Sequence, residues 1–184
     1  MHANEDNRSE KTDHQALEKP REYCGLCGVS GGESVLERTH LGLHALQHRG
    51  QEAAGVMGAF DGLCRLHRDR GLVDHVFTTL PDEWLQKPPS RAISHVRYST
   101  AGGSAAGNAQ PLMVDMAGIQ IGIAHNGTIC NARSLRRKLQ ETGTIFQTTT
   151  DTELILHLMA GSLMTRHQGR IWDALEDALG EIKG

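Results

Sequence analysis

The alternation of apolar and polar residues predicts mostly strands in the first two thirds of the chain. Short apolar or alternating runs at residues 24–29, 53–59, 63–68, 92–96 and 118–123 have the length and composition of strands. Asp61-Gly62, between two of these runs, is typical of a hairpin turn, and Gly31-Gly32 marks another turn. The strands therefore follow one another with few helices between them.

Helical periodicity marks the stretches between and after these strands. Ser34 and Glu37 predict a capping box that opens a helix ending near His48, and Asn131 predicts the cap of a helix that ends at Gly143. Residues 150–153 predict a second capping box, while residues 81–90 and 101–107 are predicted loops, the latter a candidate substrate lid. A last helix is predicted to bury one stripe, formed by Trp172, Leu175, Leu179 and Ile182.

This order of elements predicts the fold class. Because helices do not separate the strands one by one, we expect a layered α+β fold and not a doubly wound parallel sheet. At 184 residues the chain is long enough for one ordinary domain with a sizeable core.

Residues 1–23 differ in composition from the remainder of the chain. They carry six acidic and four basic residues and hardly any apolar ones, so they are predicted to be a disordered leader. On composition alone, the leader is equally consistent with a solubility tail and with a propeptide.

The overall charge and hydropathy exclude several classes of partner. The net charge of −3 argues against a surface for nucleic acid or for anionic membranes. No apolar run approaches the roughly 20 residues of a membrane span, and the leader lacks the apolar centre of a secretory signal. A cytoplasmic location is therefore expected.

Cys24 stands where the predicted fold begins. If the leader is removed, Cys24 carries an α-amine with an ordinary pKa of about 7.7–8.0, so that one residue would supply both a nucleophile and a base. Most cysteines, however, are inert packing residues. Cys24 and Cys27 could also form a redox pair or half of a zinc site, for which residues 40, 44 and 48 offer histidines at helical spacing but no second cysteine pair follows.

Polar residues at the ends of other predicted elements could complete a site. Arg97 could bind a carboxylate, Asp151 an ammonium group, and Asn126 with the backbone N–H of Gly127 an oxyanion. Each has an ordinary structural explanation as well: a surface ion pair, a helix cap and a plain turn. Taken together with Cys24, they indicate acyl transfer on an amino-acid-like substrate.

Five motifs in order give the chain from residue 24 to residue 184 a specific resemblance. They are Cys24-Gly25, residues 42–52 (Gly-Leu-His-Ala-Leu-Gln-His-Arg-Gly-Gln-Glu), residues 95–100 (His-Val-Arg-Tyr-Ser-Thr), His125-Asn126-Gly127 and residues 150–153 (Thr-Asp-Thr-Glu). These motifs resemble the glutaminase domain of class II glutamine amidotransferases. Within that family they resemble most the amidophosphoribosyltransferases, which perform the first committed step of purine synthesis.

The resemblance implies an N-terminal nucleophile (Ntn) hydrolase fold, a four-layer αββα sandwich with two antiparallel sheets. It implies that Cys24, exposed by removal of residues 1–23, attacks the side-chain amide of glutamine, with its α-amine as base. Asn126 and Gly127 would hold the oxyanion. The remaining implied roles are substrate binding by Arg97 and Asp151, and shaping of the pocket by Thr100 and Arg49.

The resemblance also implies partners and cofactors. The ammonia would pass to a phosphoribosyltransferase domain that aminates phosphoribosyl pyrophosphate with Mg²⁺, in a full-length homo-oligomer. No metal or other cofactor is expected on residues 24–184, and an iron–sulfur cluster is left open. Thr128 replaces the Asn that is usual in the family, and the chain ends before the last strands of the family's glutaminase domain, so an incomplete domain is expected. The alternatives are a stand-alone amide hydrolase of the same fold and a catalytically silent interaction module.

Overall fold

The computed structural model describes residues 24–98, 106–116, 118–167 and 170–184. Short 3₁₀ turns occur at Gln47–Arg49 and Ala106–Asn108, and a π-helical turn at Leu163–His167. The strands are β1 (Gly25–Ser30), β2 (Ala53–Phe60), β3 (Leu63–Arg70), β4 (Arg91–Arg97), β5 (Leu112–Met116) and β6 (Ile119–Ile123). The helices are α1 (Val35–Ala45), α2 (Val73–Thr78), α3 (Asp82–Gln86), α4 (Ala132–Glu141), α5 (Asp151–Ser162) and α6 (Ile171–Glu181).

The larger sheet has the strand order β1-β4-β2-β3 within the described residues, and every neighbouring pair is antiparallel. The small residues of β2 are almost all buried, as expected for a central strand covered on both faces. β2 and β3 form the hairpin predicted at Asp61-Gly62, where Gly62 adopts a φ of 82°. β4 lies between β1 and β2, so residues at the ends of these three strands are close in space.

The smaller sheet pairs β5 with β6 and packs face to face on the larger one. Its antiparallel register places Leu112 opposite Ile123. The two sheets interlock at Gly122 of β6, where an added Cβ would lie 1.9 Å from the sulfur of Met57 on β2. Gly122 therefore provides the space into which Met57 inserts.

Helices cover the outer face of each sheet. On the larger sheet, α1, α2 and α3 enclose two clusters. One includes Val35, Val56 and Trp84, and the other includes Leu43 and Val96. On the smaller sheet, α4, α5 and α6 enclose a third cluster around Leu154 and Ile155. This four-layer αββα arrangement confirms the predicted fold class. No helix in the described part of the chain is both long and apolar enough to cross a membrane.

The predicted helix caps are wrong in their chemistry although the helices exist. Ser34 precedes α1 in a left-handed conformation, with a φ of 56°, and its side chain makes no capping hydrogen bond. Thr150 and Asn131 precede α5 and α4 likewise without a side-chain cap. The Asn131 amide instead binds the backbone of Glu181 and Lys183. The Thr150 hydroxyl pairs with the hydroxyl of Thr148 in the preceding loop, so side chains that can cap a helix have bonded to other groups.

Two further expectations need correction. The predicted loop at residues 81–90 contains α3, because Trp84 is large enough to anchor one helical turn in the core at 2% exposure. In α6 the predicted stripe is only partly buried. Trp172 is 79% exposed, and the deepest contacts are made by Ala174 and Ala178. Ala174 and Ala178 are small enough for α6 to pack closely on its neighbours. These two residues, and not the largest apolar ones, therefore form the most buried part of the helix.

Candidate active site

Cys24 lies directly before β1, half-buried beside the end of β4. Its Sγ is 3.9 Å from the carbonyl oxygen of Tyr98. The next residue, Gly25, is packed so tightly that an added Cβ would lie 2.9 Å from the Cβ of Leu46. Glycine is required here because the end of α1 presses on the backbone next to the thiol.

Two side chains hold the backbone of Cys24. Its carbonyl oxygen accepts hydrogen bonds from Arg49 Nε and from Asn126 Nδ2, each at 2.9 Å. Arg49 comes from the turn after α1, and Asn126 follows β6. An amide nitrogen carries two hydrogens, so Asn126 can donate one to Cys24 and direct the other at a bound substrate.

The turn that contains Asn126 is shaped by its neighbours. An added Cβ at Gly127 would lie 3.1 Å from Nε2 of His125, so the histidine ring leaves little room for a side chain there. The backbone N–H of Gly127 and the amide of Asn126 thus come from one short connection next to Cys24. Such a pair of donors can stabilise a developing oxyanion.

Arg97 ends β4 in a setting suited to an anion. Its side chain is 17% exposed, and its Nε lies 3.8 Å from an Oε atom of Glu52. The Nη1 atom is buried and meets no hydrogen-bond acceptor among the described residues. Gly50 lets the chain pass close to Arg97, since an added Cβ would lie 2.7 Å from the Arg97 carbonyl carbon.

Asp151 begins α5 and is tied to the same connection as Asn126. Its Oδ2 accepts the backbone N–H of Ile129 at 2.9 Å, two residues beyond Gly127. The other carboxylate oxygen is the one that could receive an ammonium group. At the first turn of a helix, a carboxylate is also favoured by the helix dipole.

The loop before Asp151 is fixed by Glu153, which is 7% exposed. Its carboxylate accepts the backbone N–H groups of Gln147 and Thr148, each at 2.7 Å, and the hydroxyl of Thr148 at 2.8 Å. Burial alone raises the pKa of Glu153, but these donors, with nearby His157, outweigh it and leave the pKa below its ordinary value.

His95 lies beneath the site in the space between the sheets. It is 1% exposed, and burial, with the positive charge of Arg97, lowers its pKa to about 4, an effect that the backbone of His125 offsets only in part. His95 is therefore neutral near pH 7.

The structure brings together most of the residues selected from the sequence. Arg49 and Asn126 contact Cys24 directly, and Asp151 reaches the same connection through Ile129. Arg97 precedes Tyr98, whose carbonyl lies beside the thiol. Thr100, residues 1–23, and all but the last two residues of the candidate lid lie outside the described residues.

Sequence reasoning missed Glu52, the ion-pair partner of Arg97, and the amides of Asn108 and Gln110, described below. For Glu52 the available signal was its position directly before the predicted strand at residues 53–59, because sites are commonly built at strand ends. Asn108 and Gln110 gave no such signal, because the strand that follows them, β5, was not predicted from the sequence.

The redox and zinc alternatives for Cys24 and Cys27 gain no support. Cys27 faces α1, where an added Cβ on Gly42 would lie 2.6 Å from its Sγ, and burial raises the pKa of this thiol. Across the described ranges, no three His, Cys, Asp or Glu side chains are grouped to hold a metal ion.

Comparison with known proteins places these residues in a family context. Residues 80–170 match the family described as a glutamine amidotransferase domain. An amidophosphoribosyltransferase from Lacticaseibacillus casei is 45% identical over 164 residues, which cover 89% of this chain and 81% of that protein. The chloroplastic amidophosphoribosyltransferase of Vigna aconitifolia is 45% identical over 163 residues, 89% of this chain but 33% of that protein.

Solved structures give the same result for the fold. The chain matches glutamine phosphoribosylpyrophosphate amidotransferase from B. subtilis, complexed with ADP and GMP, with a TM-score of 0.75 and 34% identity. A structure described as the allosteric regulatory enzyme of purine biosynthesis gives a TM-score of 0.76 and 36% identity. Both alignments cover 86% of this chain and 33% of the solved chain, so this chain spans about a third of those proteins.

Proposed function

Because the chain belongs to the amidophosphoribosyltransferase family and carries its glutamine amidotransferase domain, we propose that it hydrolyses the side-chain amide of glutamine with Cys24 as the nucleophile. The observation that carries this proposal is the pair of hydrogen bonds by which Arg49 and Asn126 fix the carbonyl of Cys24. These bonds hold the thiol residue next to the donors that an acyl-transfer reaction requires.

The proposed reaction begins after removal of residues 1–23. The Cys24 α-amine takes the thiol proton, and the sulfur attacks the side-chain carbonyl carbon of glutamine. Asn126 Nδ2 and the N–H of Gly127 stabilise the negative oxygen of the tetrahedral intermediate. The C–N bond then breaks, and ammonia leaves with the proton from the α-amine. Water attacks the resulting thioester, which releases glutamate and restores the thiol.

The charged residues provide specificity for the amino-acid end of the substrate. The buried Nη1 of Arg97, which meets no described acceptor, would be satisfied by the substrate α-carboxylate. Asp151 would receive the α-ammonium group through the oxygen that Ile129 does not occupy. On its motif alone, we assign Thr100 a role in shaping the glutamine pocket.

In the whole protein, we propose that the ammonia aminates phosphoribosyl pyrophosphate in the first step of purine synthesis. This step rests on the names of the relatives, which are amidophosphoribosyltransferases. The phosphoribosyl transfer and its Mg²⁺ would belong to the transferase part of such a protein.

Glutamate release combined with intact-mass analysis tests the proposal. We expect the active species to begin at Cys24 and a Cys24→Ala variant to lose glutaminase activity. Cys27→Ala is the matched control, since this second thiol packs against α1, and it should remain active. Activity of a species that retains residues 1–23 would refute the proposed base. An inactive wild-type protein with intact fold would favour the interaction-module alternative.

A further inference from the structure

A buried glutamine side chain holds the turn that carries Asn126. Gln110 is 8% exposed, and its Oε1 accepts the backbone N–H of His125 at 2.8 Å. Its Nε2 donates to the backbone oxygen of the same residue at 3.2 Å. The amide thus binds both backbone groups of the residue that precedes Asn126.

The strand register explains why a side chain, and not the backbone, pairs with His125. Leu112 pairs with Ile123, so an extension of the β5–β6 ladder by two residues would place position 110 opposite position 125. Pro111 has no N–H to continue the ladder. The side-chain amide of Gln110 carries the same donor and acceptor as a peptide group, and it provides the pairing that the backbone does not.

A second buried amide, two residues earlier, holds the loop before Asp151. Asn108 is 3% exposed, and its Oδ1 accepts the backbone N–H of Thr149 at 3.1 Å. Its Nδ2 donates to the Thr149 hydroxyl oxygen at 2.8 Å. Thr149 is two residues before Asp151, so this clamp acts on the approach to the candidate ammonium-binding residue.

The segment that bears both amides is itself fixed to the larger sheet. Arg68 of β3 donates through Nη1 to the carbonyl oxygens of Ala109, at 2.5 Å, and Pro111, at 3.2 Å. An added Cβ at Gly55 of β2 would lie 2.3 Å from the carbonyl oxygen of Gln110, so the segment rests directly on that strand. Residues 108–110 therefore have a fixed position from which to hold two other loops.

We propose that Gln110 and Asn108 are positioning residues with separate tasks in the reaction. Gln110 fixes the oxyanion turn, and Asn108 fixes the loop that presents Asp151. This inference rests on the proposed glutamine hydrolysis. It goes further by assigning turnover and substrate affinity to two amides of one segment, each acting through the loop that it holds.

The kinetic test uses near-isosteric replacements in the full-length protein. We expect Gln110→Met to lower kcat about ten-fold or more with little change in KM, because the oxyanion donor is displaced. We expect Asn108→Leu to raise the KM for glutamine about ten-fold with little change in kcat, because Asp151 is displaced. Gln120→Met is the matched control. The side-chain oxygen of Gln120 accepts a 2.6 Å hydrogen bond from the backbone N–H of Cys64, which is not part of the site. Loss of this bond should leave kcat and KM unchanged.

A structural readout separates these tasks from general loosening. Backbone amide hydrogen exchange should accelerate at His125 only in Gln110→Met and at Thr149 only in Asn108→Leu. If either variant fails to fold, Gln110→Asn and Asn108→Ser make the smaller change and should show the same separation. Equal effects of both variants on kcat and KM, or exchange that changes at both positions together, would refute the separate tasks.

The outcomes also distinguish this inference from the proposed function. If the wild-type protein hydrolyses glutamine and both variants match it, the positioning roles are wrong and the function stands. If the wild-type protein releases no glutamate although the exchange pattern is found, the two clamps exist but neither they nor Cys24 serve glutamine hydrolysis.

Discussion

The side-chain amide of Asn126 donates a 2.9 Å hydrogen bond to the carbonyl oxygen of Cys24. The bond joins the connection after β6, in the smaller sheet, to the start of β1, in the larger one. A residue proposed to stabilise the oxyanion therefore also fixes the residue proposed to attack. Small movements of one sheet relative to the other would change both functions at once.

Replacement of Asn126 by alanine should affect turnover far more than binding. We expect kcat to fall about 10²–10³-fold with a small change in KM, as for the loss of one oxyanion donor. Steady-state glutamate release measures both constants. Asn131→Ala is the control, because this amide holds the backbone of Glu181 and Lys183 and not Cys24. Equal kcat in Asn126→Ala and wild type would exclude the oxyanion role.

Replacement of Asp151 by asparagine should affect binding of glutamine. An amide oxygen can still accept the N–H of Ile129, so the fold is retained while the charge is lost. We expect KM to rise about 30-fold, equivalent to about 2 kcal/mol for the loss of a charged partner.

Asp151→Ala loses both the negative charge and the hydrogen bond from Ile129. Comparing it with Asp151→Asn distinguishes the effect of the charge on glutamine binding from the effect of the side chain on the start of α5. Its thermal midpoint should fall below that of Asp151→Asn, because α5 then loses a favourable group at its first turn. An unchanged KM in both variants would show that the ammonium group binds elsewhere.

His95 should make the protein less stable at mildly acidic pH. The unfolded chain binds a proton at the ordinary histidine pKa of 6.5, whereas the folded chain binds it only near pH 4. Protonation thus favours the unfolded state as the pH falls through this window, at a cost of about 2 kcal/mol between pH 7 and pH 5.

Urea unfolding at pH 7 and pH 5 measures this cost. The fall in unfolding free energy should be about 2 kcal/mol smaller in His95→Gln than in the wild type. Glu153 does not affect this comparison. A carboxyl whose pKa is lowered on folding stabilises the folded state above its ordinary pKa, here 4.5, and this stabilisation is lost only as the pH falls below that value. The same pH dependence in both proteins would contradict the assignment.

The contact between Gly122 and Met57 should be sensitive to one added carbon. We expect Gly122→Ala to destabilise the fold by about 1 kcal/mol, because the overlapping atoms are the flexible end of Met57, which can turn aside but then loses packing. Gly122→Ala should cost less when Met57 is also shortened to alanine, because the overlap is then absent. In a double-mutant cycle measured by urea unfolding, the double variant should therefore be more stable than the sum of the two single effects predicts. Gly28→Ala is the control, since its nearest neighbour, Ile93, would be 3.9 Å away. Additive effects would show that the sheets adjust freely.

Much of the fold could be predicted because burial dictates the repeat of apolar residues. The run at residues 118–123 and the stripe through Leu154 and Ile155 gave the right elements for this reason. The helix caps could not be predicted, since Asn131 binds a segment 50 residues away. The orientation of α6 was missed because Trp172 is large and apolar but exposed, while Ala174 is small and buried.

The candidate site divides in the same way. Cys24 and Asn126 could be selected because they lie at the ends of elements with the chemistry that the reaction needs. Gln110 and Asn108 could not, because their role depends on a ladder that stops at Pro111 and on a loop some 40 residues further on. Residues that act on backbone atoms leave no periodic signal in the sequence.

The insertion of Met57 into the space left by Gly122 also indicates where this domain can vary. Cys24 belongs to one sheet and Asn126 to the other, so the distance between nucleophile and oxyanion donor is a sheet-to-sheet spacing. Side chains on the outer helices do not lie between the sheets, so they can change size without altering that spacing. Side chains on the inner faces of the sheets set the spacing and cannot change size in the same way. Among natural variants of this domain, the number of tolerated substitutions per position should therefore decrease from the solvent-facing helices to the positions between the sheets, residues 55, 57 and 122.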